Sequence, residues 1–227
     1  MNVKTESILC YSREEIDNCG VANFSIGKVA KQLCIPKGSI YKKFKSKHEI
    51  FAAIIIEGLR IRNNSSISIL CDDKLSCHEK VLCHHLLGVY KTVINKHDIG
   101  TIFLVPNGML WHGISAQTLA EMQKEFLIYY NFLDKPHLME ITSGLNGNDL
   151  YNIKQTLFEN ERGILLGCLN ILIPHGCNSF ERIDQRLQSV VADCFGIKTD
   201  TIDLDKAKGW VESFLNCPPH WAKMYEF

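Results

Sequence analysis

The chain has 227 residues, of which 46% are hydrophobic and 22% charged, and its 25 Lys+Arg balance 25 Asp+Glu. That length and mixture suit an ordinary globular protein of one large domain, or a small domain joined to a larger one, and the sequence holds no internal repeat or low-complexity segment. No apolar run approaches the roughly 18–20 residues that span a bilayer, and the opening MNVKTESILCYSREE has no apolar signal core, so a cytoplasmic protein without membrane association is expected.

A first helix is expected over residues 7–18, with Ile8, Leu9 and Ile16 on its buried side and Gly20 as its C-terminal cap. Ser25 is placed to N-cap a second helix in which Ile26, Val29, Ala30 and Leu33 recur at helical spacing. After a turn at Cys34-Ile35, Pro36 suits the first position of a third, short helix that runs to about Phe44. Ser46 and Glu49 have the spacing of a capping box, in which each side chain satisfies the other's orphan amide. The helix they open, residues 47–62, is apolar on nearly all sides from Ile50 to Ile56, and so is expected to be buried. Further helices are expected at about 76–96, 101–113, 115–133, 149–173, 179–195 and 204–216. Breaks are expected at NNSSIS, DKPH, SGLNGND, IPHGCNS and NCPP, all rich in turn formers. Strand-like alternation is scarce, so the fold class is all-α.

Charge is unevenly placed. Residues 1–60 carry 10 Lys+Arg against 6 Asp+Glu, and residues 24–47 hold seven lysines and no acid. This asymmetry suggests an N-terminal module with an anionic partner, attached to a mildly acidic body. With Ile40 turned inward, a rotation of about 100° per residue brings Phe44 to the same side. Gly38 and Lys42 then point away, with Ser39 and Tyr41 on the flanks. Two short helices joined by a tight turn, the second lysine-rich, describe a helix-turn-helix DNA reader. Its outward face is small near the start, where the backbone can approach base edges, and cationic one turn later, where lysines reach phosphates.

Residues 8–50 resemble the DNA-binding region of the tetracycline-repressor (TetR) family of bacterial regulators. The resemblance runs in register through Ile8-Leu9, Gly20, Ser25-Ile26, Val29-Ala30, Lys37-Gly38-Ser39-Ile40-Tyr41, Phe44, Ser46-Lys47 and Glu49-Ile50, about a fifth of the chain. Cys34 stands where the turn residue is usually glycine, Pro36 where the family usually has a polar residue, and Phe24 where threonine is common. The resemblance implies a homodimer that places two recognition helices in successive major grooves of a palindromic double-stranded operator. Carried onto this sequence, Ser25, Lys37, Gly38, Ser39, Tyr41, Lys42 and Lys47 form the DNA-contacting set. Residues 1–47 would be the DNA-binding domain, and residues 48–227 a helical domain for ligand binding and dimerisation. The helices at 149–173 and at 179–195 or 204–216 would supply the dimer contact, and the buried helix 47–62 would carry the ligand signal.

For a ligand pocket, the segment TIFLVPNGMLWHGIS and the helix after it bring forward Phe103, Met109, Trp111, His112, Phe126 and Tyr130, a mostly apolar set with a few polar groups. The same aromatics could simply pack the core. A metal site at Cys71, Cys77, His78, Cys83, His84 and His85 is disfavoured, because on a helix these ligands do not converge, and His84-His85 and Asp72-Asp73 read as surface features of helix ends. Cys34 is expected to be a buried, inert thiol, with redox sensing as the alternative. No catalytic motif is present, no enzyme activity is expected, and no metal or cofactor beyond a small-molecule effector is assigned. The function read from the sequence is a transcriptional repressor released from its operator by a small, mostly apolar ligand. The alternatives are a constitutive dimeric DNA-binding protein without effector and a metal- or redox-sensing regulator.

Overall fold

The computed structural model describes residues 4–94, 112–167 and 180–216. Among them are ten α-helices and no strand: α1 (Thr5–Cys19), α2 (Ile26–Gln32), α3 (Lys37–Tyr41), α4 (Lys47–Leu70), α5 (Cys77–Ile94), α6 (Ala116–Tyr130), α7 (Met139–Thr142), α8 (Gly147–Gly167), α9 (Phe180–Phe195) and α10 (Leu204–Asn216). Among the described residues no helix is long and apolar enough to cross a membrane. The described residues divide into two compact units, residues 4–60 with 112–126 in the first, and residues 61–94 with 127–167 and 180–216 in the second. Helices α4 and α6 each contribute residues to both.

In the first unit, α1 ends at Gly20, whose φ of 74° suits a residue without a Cβ and whose N–H reaches Ile16 O at 2.7 Å. Ser25 occupies the N-cap position of α2, but its hydroxyl makes no cap bond; only its carbonyl accepts, from Lys28 and Val29 N–H at 3.0 and 3.2 Å. Pro36 is the N-cap of α3 and not its first helical residue, because its ψ of 142° is extended. The ring fixes φ and leaves ψ open, so the sequence could not choose between the two positions. Ile8, Ile16, Val29, Ile40, Phe44, Ile50, Phe51 and Met122 join in one apolar cluster. Each such side chain contributes roughly 1.5–3 kcal/mol when fully buried.

Helix α4 does not break at NNSSIS but continues to Leu70. Ser65 Oγ and Ser66 Oγ donate to Ile61 O and Arg62 O at 2.8 and 2.9 Å, so the hydroxyls are satisfied inside the helix and offer no competing turn.

In the second unit, α5 is central. Every residue from Glu79 to Tyr90 is buried, and α8, α9 and α10 pack on it. Its start is a reciprocal capping box: Glu79 N–H donates to Ser76 Oγ at 3.3 Å and Ser76 N–H to Glu79 Oε2 at 2.7 Å. Lys206 of α10 adds an ion pair to the same carboxylate oxygen at 2.7 Å. His84 and His85 therefore lie in the middle of a buried helix and not at its surface end, only 2% and 6% exposed. The expectation failed because it assumed a solvent face that α5 lacks.

Candidate nucleic-acid interface and a buried polar cluster

The turn before α3 is built by Cys34, which has a φ of 54° and lies exposed. Its N–H bonds Lys31 O at 3.1 Å, and Ile35 N–H bonds Ala30 O at 3.0 Å, closing α2. The thiol expected to be buried is thus at the surface, because a side chain on a left-handed residue here points off the turn. Helix α3 follows with Ile40 fully buried and Phe44 beneath it. Lys37, Gly38, Tyr41 and Lys42 are exposed and Ser39 is half-buried, as is Ser25. Lys37 bends over α2, where a Cβ on Gly27 would stand 2.6 Å from Lys37 Cε.

The lysines divide into two kinds. Lys28 pairs with the buried Glu15 at 2.9 Å, and Lys43 donates to Thr5 Oγ1 at 3.3 Å. Among the described residues Lys37, Lys42 and Lys47 form no ion pair. A cationic face of this kind, without local counter-charge and backed by an apolar cluster, is chemically suited to a polyanion.

Lys47 opens α4, and its neighbours fasten that end. Glu49 N–H donates to Ser46 Oγ at 3.2 Å, which is one half of the expected capping box. The other half is absent: Glu49 turns to α6 and accepts from Ser115 N–H at 2.5 Å and Thr118 Oγ1 at 2.6 Å, while Ser46 Oγ donates to Gly113 O at 2.9 Å. Burial alone would raise the Glu49 carboxyl, but these hydrogen bonds and nearby Lys45 hold it below its ordinary range.

The second unit holds a cluster of a different kind. Glu161 of α8, 3% exposed, accepts from Arg62, from Tyr129 OH and from His85 Nδ1, the last at 2.7 Å. Arg62 also donates to Tyr129 OH at 2.8 Å, and its Cζ lies 4.1 Å from the centre of that ring. Burial pushes the Glu161 carboxyl up, but the Arg62 charge and the His85 and Tyr129 hydrogen bonds outweigh it and hold the group well below the carboxylate range. His84 is driven far below its ordinary value by burial, with His85 and Arg62 adding to the effect, so it is neutral. Its ring stacks on Phe132 and Tyr129 with centroids 3.9 and 4.8 Å away, and its Nδ1 lies 2.9 Å from Ser66 Oγ.

Beside this cluster is a cavity of about 20 Å³, room for about one water. His84, His85, Tyr129, Tyr130, Phe132 and Phe158 supply rings to its wall, and Leu133, Leu157 and Lys154 complete it. Of the pocket residues expected from sequence, Tyr130 lines this cavity, Phe126 packs on the apolar cluster of the first unit and His112 is exposed. Phe103, Met109 and Trp111 lie outside the described residues. Among the cysteines once weighed as ligands, Cys77 donates to His137 O and Glu140 at 3.4 Å, and Cys83 is buried with its thiol pushed up by burial. Among the described residues no three His, Cys, Asp or Glu side chains gather as metal ligands.

Residues 8–54 match the family described as bacterial regulatory proteins, tetR family. The matched stretch runs from α1 through α2 and α3 into α4. The chain is similar in fold to the fatty acid degradation regulator FadR from Bacillus halodurans, at 17% identity, covering 85% of this chain and 98% of that one with a TM-score of 0.61. A TetR transcriptional regulator from Legionella pneumophila is similar at 18% identity, 89% and 100% coverage and a TM-score of 0.57. FadR from Bacillus subtilis, solved in complex with stearoyl-CoA, is similar at 20% identity, 85% and 96% coverage and a TM-score of 0.57. At these identities the likeness is one of fold. No curated protein matches the chain in sequence.

Within the matched residues 8–54, Phe24 acts as a core anchor: it is buried with its ring edge-on to Phe51 at 4.9 Å. Glu15, the partner of Lys28, and the Arg62–Glu161 pair were missed by sequence reasoning. A signal existed for Glu161, which falls in the buried stripe Ile153, Leu157, Glu161, Leu165 at a spacing of four. An acid in an apolar stripe demands a buried partner.

Proposed function

We propose that the protein is a transcriptional regulator that binds double-stranded operator DNA as a homodimer, and that a small, mostly apolar effector taken up in the body releases it, making it a repressor. In this reading residues 1–47 bind DNA and residues 48–227 bind ligand and dimerise. The carrying observation is the division of α3 into an inward side, Ile40 and Phe44, and an exposed side, Gly38, Tyr41 and Lys42, with Lys47 beyond it. The match of residues 8–54 to a family of bacterial regulatory proteins supports the same reading. Ser25, Lys37 and Ser39 complete the DNA-contacting set.

An effector acts only through unequal affinity for the DNA-competent and DNA-incompetent states; weakening operator binding ~100-fold takes about 2.7 kcal/mol of coupling. The aromatic wall in the second unit supports an apolar effector. The cavity's small volume favours a second reading, a constitutive DNA-binding protein whose body only dimerises. Selection of bound genomic fragments supplies the DNA probe. In fluorescence anisotropy Lys42→Ala should bind it at least about 10-fold more weakly at an unchanged melting temperature, and Lys47→Ala should lower the salt slope by about one. Unchanged binding by both variants would remove α3 from the interface. A metabolite that releases the DNA supports the effector reading; a library that gives neither release nor a thermal shift supports the constitutive one.

A further inference from the structure

We propose that the cavity of the second unit takes an amphiphile with a carboxylate head, which Lys154 and the Tyr130 hydroxyl receive at the mouth while the apolar tail displaces the Phe158 ring; this rests on the effector reading above. No aspartate or glutamate lines the wall, and Lys154 brings a full cation to it. The nearest acid in the cluster, Glu161, is already covered by Arg62, His85 and Tyr129, so it leaves little free negative field. His84 offers the ligand no proton: the single proton of Ser66 Oγ goes to Arg62 O at 2.9 Å, so the one hydrogen of His84 sits on Nδ1 and is donated to Ser66 Oγ.

Lys154 is the exchangeable group. It pairs with Asp134 at 2.6 Å, but the Asp134 side chain is 41% exposed, and such a water-screened pair holds weakly. Its Nζ also bonds Asn131 Oδ1 at 3.2 Å and lies 5.8 Å from the centre of the Tyr130 ring. A carboxylate arriving beside Tyr130 can replace Asp134 without stripping the ammonium of a partner, and it takes over the Tyr130 hydroxyl proton from Gln155 Oε1, which accepts it across a long 3.3 Å. The opening lies on this side, because Tyr130, Lys154 and Phe158 are half-buried, whereas His84, Tyr129 and Leu157 are buried. A volume of about 20 Å³ means that the tail enters only as the half-buried side chains swing out.

Octanoate, with octanol and octylamine as neutral and cationic congeners, tests this by isothermal titration at pH 7. Octanoate should bind saturably, octanol at least about 10-fold more weakly, and octylamine not at all. Lys154→Gln should weaken octanoate about 10-fold and leave octanol unchanged, and Tyr130→Phe should weaken octanoate by a smaller factor. Both variants lie toward the surface and should keep the free protein's melting temperature. Equal binding of octanol or octylamine, or octanoate binding indifferent to Lys154→Gln, overturns the anion site and leaves the effector reading standing. Absence of binding by all three congeners also overturns it, while a library metabolite that still releases DNA keeps the effector reading alive.

Discussion

Arg62 meets Glu161 directly above Gly88: a Cβ at position 88 would overlap the guanidinium and stand 2.7 Å from Glu161 Oε1. The helix-weakening glycine in α5 is therefore what lets a cation from α4 cross to an acid on α8. Gly88→Ala gains about 1 kcal/mol of helix propensity, but it displaces one partner of a buried pair, a loss of about 3–5 kcal/mol. The net expectation is a destabilisation of about 2–4 kcal/mol in urea unfolding. In a Glu161→Gln background the same change should cost less, since the pair is already broken; equal costs in both backgrounds would mean that the overlap is relieved some other way.

Stability should fall on acidification, beginning at the histidine. Unfolded His84 titrates near 6.5, while the folded residue stays neutral far below that, so the unfolded chain binds more protons and stability drops as the pH falls below 6.5. Glu161 acts in the same direction at lower pH: its folded value is depressed, so its contribution is present above the ordinary 4.5 and is lost as the pH falls further. Urea midpoints at pH 7.5, 6 and 5 should show the decline, with each proton contributing at most about 1.4 kcal/mol per pH unit. His84→Phe should flatten the upper part of the curve, and a curve of unaltered slope would point to another group.

Adjacent positions on α3 should separate folding from binding. Ile40→Ala empties a fully buried site and should cost about 2–4 kcal/mol, taking DNA binding down with it. Tyr41 is 49% exposed, so Tyr41→Ala should leave stability within about 0.5 kcal/mol and still weaken binding. Paired thermal melts and anisotropy titrations read both quantities.

Glu49→Gln keeps the shape of the joint between α4 and α6 but removes the charge that the Ser115 amide and Thr118 hydroxyl bind. Charged hydrogen bonds contribute about 1.5–3 kcal/mol, and the amide oxygen can still accept one of them, so a loss near 1 kcal/mol is expected by denaturant titration. Glu49→Ala should lose more; an equal loss would show that the charge contributes nothing there.

The N-terminal helices were legible because their signals are local and agree with one another: Gly20 stops α1, the Ile26–Val29–Ala30 spacing places α2, and the Ile40–Phe44 pair orients α3. What sequence periodicity could not resolve were competitions decided by distant partners. The Ser46–Glu49 spacing fits a reciprocal cap, but Ser115 offers Glu49 a second amide, 66 residues away in sequence. The run NNSSIS fits a break, yet the hydroxyls of Ser65 and Ser66 return to carbonyls of their own helix. His84-His85 fit a polar surface until α8, α9 and α10 close around α5. Around the cavity, Tyr130 was legible as an aromatic of the helix that follows TIFLVPNGMLWHGIS, whereas its neighbours His85 and Lys154 come from helices far off in sequence.

From Glu79 to Tyr90, α5 presents no side chain to solvent. A stretch of this kind has no neutral positions at which substitutions can accumulate freely: a change of volume or charge at any of its turns must be answered on a neighbouring helix. Diverging copies of this protein should therefore alter these residues in matched sets with α8, α9 and α10. A saturation library of residues 79–90 screened for folded protein should be depleted at every position, with no periodic relief every third or fourth residue.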